Sequence, residues 1–231
     1  MKNTSAAVIV AAGTSSRMQG LNKLWIPLAG RIVLAHTIAV FQSSPLIETI
    51  ILVTGRERVN EATTLCKYEQ WHKVAAVVVG GARRQDSVRI GLDTLASLSS
   101  NCRWVMIHDG ARPFVTSALI ETGLQAAQAH QVAIAAVPVK DTIKQVQQGL
   151  ISATPDRSQL WAIQTPQVFS FPLIHQAHHA PIAQEDMTDD ATLLERLGEH
   201  IAIFPGSYTN IKITTQEDLI FAEALIRGNA L

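Results

Sequence analysis

The stretch Ala6-Ala7-Val8-Ile9-Val10-Ala11-Ala12-Gly13-Thr14-Ser15-Ser16-Arg17-Met18-Gln19-Gly20-Leu21-Asn22-Lys23 decides the fold. Its first five residues are apolar and small or β-branched, which suits a short strand covered on both faces. At Gly13 the run breaks into small polar residues, and two cations follow, Arg17 and Lys23. A small-residue loop after a strand lets backbone N–H groups come close to a polyphosphate. Arg17 and Lys23 can then neutralise charge that builds on phosphates during transfer. The spacing is not that of a Walker A loop, and the third glycine of a dinucleotide fingerprint is missing. The competing reading is an ordinary strand-to-helix turn with two surface cations.

Downstream the same signature recurs. Continuous apolar runs at 49–54, 74–79, 104–108 and 133–137 read as further buried strands. Helical periodicity fills the intervals at 33–42, 57–66, 87–97 and 117–129; Leu34, Ile38 and Phe41 share one face. This alternation predicts the α/β class, with a doubly wound, mainly parallel, Rossmann-like sheet. Ligands in such sheets bind beyond the carboxyl ends of the strands. Three polar loops, 13–23, 80–87 and 109–113, follow strands and are expected to converge on that rim. After Val139 the rhythm changes. Two short strands, 141–146 and 150–154, flank Gln147-Gln148-Gly149 and predict a projecting β-hairpin arm over about 139–159. A strand at 167–169, a helix at 171–178, a helix opening near Asp189 and a strand at 201–204 come next. A closing helix begins at Thr215, whose pairing with Asp218 approaches a capping box. One domain, 1–231, is expected.

Composition narrows the partners. Hydrophobic residues make up 47% of 231, enough for a sizeable core. Nineteen basic side chains balance 19 acidic ones, so no global field draws the chain to nucleic acid or to a membrane. A nucleotide site must rest on local cations. The two cysteines, Cys66 and Cys102, share no metal spacing and read as buried thiols of a reducing compartment. Met1 to Ser5 lead straight into a strand, so no signal peptide is expected and the expected location is cytoplasmic.

Five further segments bear on chemistry. Gly80-Gly81-Ala82-Arg83-Arg84-Gln85-Asp86-Ser87 can let a base lie on the backbone, with Ser87 capping a helix or bonding a base edge; solvated arginines beside an N-cap are the alternative. In His108-Asp109-Gly110-Ala111-Arg112-Pro113, Asp109 can hold magnesium or a sugar hydroxyl and Arg112 a phosphate, against a plain Asp–Arg pair bracing a turn. Thr188-Asp189-Asp190 reads foremost as an N-cap, and Lys212 as a cation aimed at an anion or as an edge lysine. His175, His178 and His179, near Pro181 and without an acidic partner at ligand spacing, read as a solvated helix end rather than a metal site.

Taken together these segments resemble the 2-C-methyl-D-erythritol 4-phosphate cytidylyltransferases, CTP-using nucleotidyltransferases of non-mevalonate isoprenoid synthesis. The resemblance runs over about 6–223. It rests on the nucleotide loop and, more specifically, on Arg84-Gln85-Asp86-Ser87-Val88, His108 to Pro113, Pro138-Val139-Lys140-Asp141-Thr142, Thr165-Pro166-Gln167, Thr188-Asp189-Asp190-Ala191 and Asn210-Ile211-Lys212. It implies that Ala11, Ala12, Gly13, Gly81, Ala82, Ser87, Asp109 and Gly110 bind the nucleotide. It implies that Arg17, Lys23 and Lys212 are catalytic, around the α-phosphate and triphosphate. Asp109 and Thr188 would meet the polyol, and Lys212 would also touch the acceptor. Arg112, Thr142, Arg157 and Thr165 would reach it from the neighbouring subunit of a homodimer with shared sites. Mg2+ would be held mainly by the CTP phosphates, near Asp109. The chain departs from the family pattern at Ser15, usually Gly, in the six-residue Arg17–Lys23 spacing, and at Ala82, which some members replace by Asp. None of these removes a cation. Ribitol 5-phosphate cytidylyltransferases share much of the pattern, molybdopterin cytidylyltransferases less, and a non-catalytic nucleotide-binding module would not need three cations at one phosphate.

Overall fold

The computed structural model describes residues 4–13, 22–98 and 101–228. The chain opens with β1 (Thr4–Ala11), a small ladder of β2 (Pro27–Leu28) and β3 (Arg31–Ile32), and α1 (Val33–Ser43). Strand β4 (Thr49–Thr54), α2 (Val59–Tyr68), β5 (Val74–Val79) and α3 (Arg84–Leu98) follow. Then come β6 (Cys102–Asp109), α4 (Ser117–His130) and β7 (Val132–Pro138). The arm carries β8 (Gln145–Gln147) and β9 (Leu150–Ala153). The chain returns through β10 (Trp161–Ser170), α5 (Phe171–Ala177), α6 (Asp190–Arg196), β11 (Ala202–Pro205) and α7 (Gln216–Gly228).

Seven strands form one sheet in the order β11-β7-β10-β6-β1-β4-β5. All neighbours run parallel except β10, which lies antiparallel between β6 and β7. The expected mainly parallel sheet is thus observed. Alternation along β1 sorts its side chains into two layers. Ala7 and Ile9 pack in the layer of Leu34, Ile38 and Phe41 of α1, Ile120 of α4 and Ala222 of α7. Ala6 and Val8 pack in the layer of Val88 and Leu92 of α3, Ile174 of α5 and Leu194 of α6. Both faces being covered explains why the strands read as unbroken apolar runs.

The hairpin is real but shorter than expected. β8 starts at Gln145, and its turn places Gln148 at φ 52° and Gly149 at φ 82°. Two positive φ values are the mark of a tight hairpin turn, and Gly149 takes the second without a Cβ penalty. β10 is longer than the expected 167–169, because Trp161, Ala162 and Ile163 pair with β7 before the register shifts. Residues 210–213 form no strand; Ile213 N–H donates to the Ala111 carbonyl at 2.9 Å. The capping box at α7 is reciprocal: Asp218 N–H donates to Thr215 Oγ1 at 3.4 Å, and Thr215 N–H to Asp218 Oδ2 at 2.9 Å. Among the described residues no helix is long and apolar enough to cross a membrane.

Candidate active site

The loops after β1, β5 and β6 meet on one rim, as their positions in a parallel sheet require. They enclose a cavity of about 480 Å³ lined by Ala11, Ala12, Gly13 and Lys23 from the first loop, Gly81, Ala82 and Ser87 from the second, and Asp109 and Lys212. Lys23 opens a short 3-10 turn capped by Asn22, whose side chain accepts from Leu24 N–H at 3.2 Å. Ser87 sits one turn inside α3, which begins at Arg84, so it is not the N-cap. Its buried hydroxyl accepts from Gly81 N–H at 3.1 Å and donates to the Arg83 carbonyl at 3.2 Å. Gly81 is required there: a Cβ would lie 2.4 Å from Asp86 Cβ.

A second cavity of about 330 Å³ adjoins the first, lined by Arg112, Gln164, Thr165, Thr188 and Asp189 among others. Three side chains line both: Arg84, Asp109 and Lys212. Asp109 is the hub of this dividing wall. Its Oδ1 accepts from Arg84 Nε at 3.1 Å, its Oδ2 lies 2.7 Å from Lys212 Nζ, and Arg112 Nε lies 3.9 Å away. Burial alone would raise this carboxyl, yet Arg84 and Lys212 together hold it well below the usual carboxylate range. Arg84 also reaches Asp190 Oδ2 at 2.6 Å. Burial opposes the Arg84 charge, but Asp190 and Asp109 more than offset it. Asp190 is itself buried and lies 3.4 Å from His178 Nε2.

Hydrogen bonds set the wall's backbone. His108 Nε2–H donates to the Arg112 carbonyl at 3.2 Å, because a carbonyl can only accept. Nδ1 therefore accepts from Thr165 Oγ1 at 3.1 Å, and Thr165 Oγ1 accepts from Asp109 N–H at 3.0 Å. Burial pushes His108 down from 6.5 to about 4, so it stays neutral at pH 7 and keeps this tautomer. Asn210 fixes the opposite side, donating to Gln164 Oε1 at 3.2 Å and to the Thr165 carbonyl at 2.8 Å.

The protein-family model for 2-C-methyl-D-erythritol 4-phosphate cytidylyltransferase matches residues 5–228. The chain belongs to this family. A curated member from Dehalococcoides mccartyi strain CBDB1 is 48% identical over 224 residues, covering 96% of this chain and 95% of that one. Another, from Halalkalibacterium halodurans, is 44% identical over 96% of both chains. The crystal structure of a 4-diphosphocytidyl-2C-methyl-D-erythritol synthase from Anaerococcus prevotii superposes with a TM-score of 0.85 at 32% identity, covering 97% of this chain and 96% of that one. By this membership the chain is a cytidylyltransferase.

The expected residues of this cytidylyltransferase fall into five groups. Ala11, Ala12, Gly13, Lys23, Gly81, Ala82, Ser87, Asp109 and Lys212 line the first cavity, and Asp109, Arg112, Thr165, Thr188 and Lys212 the second. Gly110 does not reach a cavity wall; it is buried behind it, donating to Val10 O at 2.9 Å and accepting from Thr37 Oγ1 at 2.9 Å. Thr142 and Arg157 lie exposed on the arm, away from both cavities, and Arg157 donates to the Lys140 carbonyl at 2.8 Å. Arg17 lies outside the described residues. Arg112 and Thr165, which the resemblance assigns to the neighbouring subunit's site, both contact Asp109 of their own chain. The arginines after Gly81 are not free in solvent either. Arg83 is tied to Asp86 at 2.8 Å and to Asp186 at 3.2 Å, and Arg84 anchors the wall. Arg84, Asp190 and His108 are site residues that the sequence reading left without a role. Arg84 and Asp190 lie 106 residues apart, so only the motifs containing them marked them.

Proposed function

We propose that the first cavity holds CTP and the second holds 2-C-methyl-D-erythritol 4-phosphate, and that CMP passes between them with release of pyrophosphate. One observation carries this reading: two adjoining cavities share a wall of Arg84, Asp109 and Lys212. Such a wall brings two anionic reactants to one line of cations. An acceptor phosphate monoester is already ionised near neutral pH, so attack on the α-phosphorus needs no strong general base. The barrier lies in bringing two anions together and stabilising added negative charge. Lys23 and Arg17 act on the nucleotide side, Lys212 at the α-phosphate between the two, and Arg112 on the acceptor phosphate. Asp109, held ionised, aligns Lys212 and can accept from a polyol hydroxyl. Thr165 and Thr188 offer hydroxyls to the same acceptor.

The reading includes Mg2+. Asp109 is the only carboxylate among the described residues lining the first cavity, and its oxygens already face Arg84 and Lys212. That donor set suits an ion carried mainly by nucleotide phosphates rather than a protein cage. Bound there, Mg2+ would neutralise phosphate charge. The working unit is a homodimer of single-domain chains, in which the arm brings Thr142 and Arg157 to the partner's acceptor cavity. The exposure of Val146, Leu150 and Ile151 on the arm supports this, since a lone two-stranded ribbon is marginal in water. Two free, buried cysteines, with burial pushing Cys66 to about 11 and Cys102 to about 12, fit a reducing cytoplasm.

Pyrophosphate release measured with CTP, ATP, GTP and UTP, each against methylerythritol phosphate and ribitol 5-phosphate, tests the reading. CTP with methylerythritol phosphate should turn over fastest. Preference for ribitol 5-phosphate would reassign the second cavity, and no release with any pair would leave a nucleotide-binding module.

A further inference from the structure

His175 and His179 lie one helical turn apart at the end of α5, and Asp93 of α3 meets them from the neighbouring helix. None of the three lines either active-site cavity. The sequence reading found no acidic partner for these histidines; α3 supplies one. It also took His178 as solvated, whereas His178 is buried against Asp190. A single oxygen, Asp93 Oδ1, lies 3.0 Å from His175 Nε2 and 3.2 Å from His179 Nε2. The other carboxylate oxygen faces Arg89 at 3.8 Å.

The hydrogen-bond pattern narrows what sits between these atoms. His179 Nδ1 lies 2.8 Å from the His175 carbonyl, which can only accept, so the ring proton is on Nδ1. In the neutral ring Nε2 then presents a lone pair, and that lone pair faces a carboxylate oxygen. Two electron-rich atoms at this distance repel unless a cation lies between them, either a proton on Nε2 or a metal ion. Donation from the second ring nitrogen to a carbonyl is the arrangement that orients metal-bound imidazoles. The spacing agrees: ligands about 2.0 Å from a tetrahedral ion are about 3.3 Å apart. All three ligand atoms lie within 4.8 Å of one another.

We propose that Asp93, His175 and His179 bind a divalent transition-metal ion of the zinc class, with solvent completing its coordination. Two imidazoles and one carboxylate favour such an ion over Mg2+, which prefers oxygen ligands. The charge of Arg89 opposes it from the far carboxylate oxygen, in an exposed position where water and salt weaken the repulsion. The ion would pin α3 to α5. α3 begins at Arg84 and α5 leads on to Asp190, so the clip secures the two segments that meet in the Arg84–Asp190 pair.

The test uses the full, tag-free chain, stripped of metal by chelation. Titration with Co2+ should give the visible bands of a low-coordinate ion, saturating at one equivalent per chain. Zn2+ should displace it, and a large excess of Mg2+ should not. Asp93→Asn and His179→Gln should each weaken binding by roughly tenfold or more, while pyrophosphate release from CTP stays unchanged. Zn2+ should raise the melting temperature of the wild type by mass action, and that of each variant by less at the same Zn2+ concentration. Circular dichroism checks that each variant folds; if one does not, the other variant and the wild-type stoichiometry decide. Absence of Co2+ bands, or bands that persist in both variants, would overturn the site and leave a shared proton holding the three side chains together.

Discussion

Asp109 in the wall and Arg157 on the arm are both charged residues, but their surroundings differ. Asp109 is 7% exposed and faces three cations of its own chain. Arg157 is exposed on a hairpin whose Val146, Leu150 and Ile151 are 58%, 74% and 65% exposed. The wall closes its hydrogen bonds and charges within one polypeptide. The arm leaves apolar surface and a cation facing outward, which is the composition of a surface meant for a partner. On the proposed reading, then, positioning of the reacting phosphates would be intramolecular, while the arm's contacts to the acceptor would come from a second chain.

The sharpest way to break this comparison is at Arg84. Arg84→Met removes the cation between Asp109 and Asp190 and strands a buried carboxylate. Urea unfolding should show a loss of about 3–5 kcal/mol. A loss below about 1 kcal/mol would mean that water or His178 already satisfies Asp190.

The division between chains is tested by complementation. Lys23→Ala and Arg157→Ala should each lower kcat by roughly 10²-fold, about 3 kcal/mol. Mixed dimers of the two variants should recover up to about half activity per dimer, since one of two sites is then intact. No recovery after verified subunit exchange would return Arg157 to its own chain's site.

Acid should weaken the wall and spare the arm. In the unfolded chain His108 takes a proton near 6.5, in the folded chain only near 4, so the unfolded state binds more protons between those values. Stability is therefore full above about pH 6.5, falls as pH drops toward 4, and loses on the order of 3 kcal/mol from this group. Asp109 and Asp190, both held below the usual carboxylate range, add further loss at still lower pH. Urea midpoints measured from pH 7 to 4 check this, and His108→Gln should flatten the upper part of the curve. The smallest effect is expected on the arm. Leu150→Ser should change the unfolding free energy of the separated chain by no more than about 0.5 kcal/mol, yet shift sedimentation toward monomer.

How far the sequence spoke depended on whether a feature was local. The spans Thr49–Thr54 and Val74–Val79 were legible to the residue, because short, largely β-branched runs bounded by polar loops read as strands. The convergence of three loops followed from parallel topology, and most of the first cavity's lining followed from that. β10 was read as three residues rather than Trp161–Ser170, since Gln164-Thr165-Pro166 looks like a break and only pairing with β7 extends it. Arg84 looked solvated because its partners arrive from β6 and α6. Asp93 was absent from the histidine cluster for the same reason: its contact with His175 crosses 82 positions.

The reversal of β10 has a kinetic consequence. Because β10 runs against β7, the Trp161–Pro138 pairing closes a loop of about twenty residues, whereas the Val8–Ile107 pairing closes about a hundred. The shorter closure is favoured by roughly 1.3 kcal/mol of chain entropy, and pairs of low sequence separation form earlier in folding. The β7–β10 hairpin is therefore expected to form before β1 docks on β6. Conservative truncations at Ile134 and Val168 should slow refolding, whereas truncation at Val8 should mainly speed unfolding. One inverted strand thus sets both where the arm departs and in what order the sheet assembles.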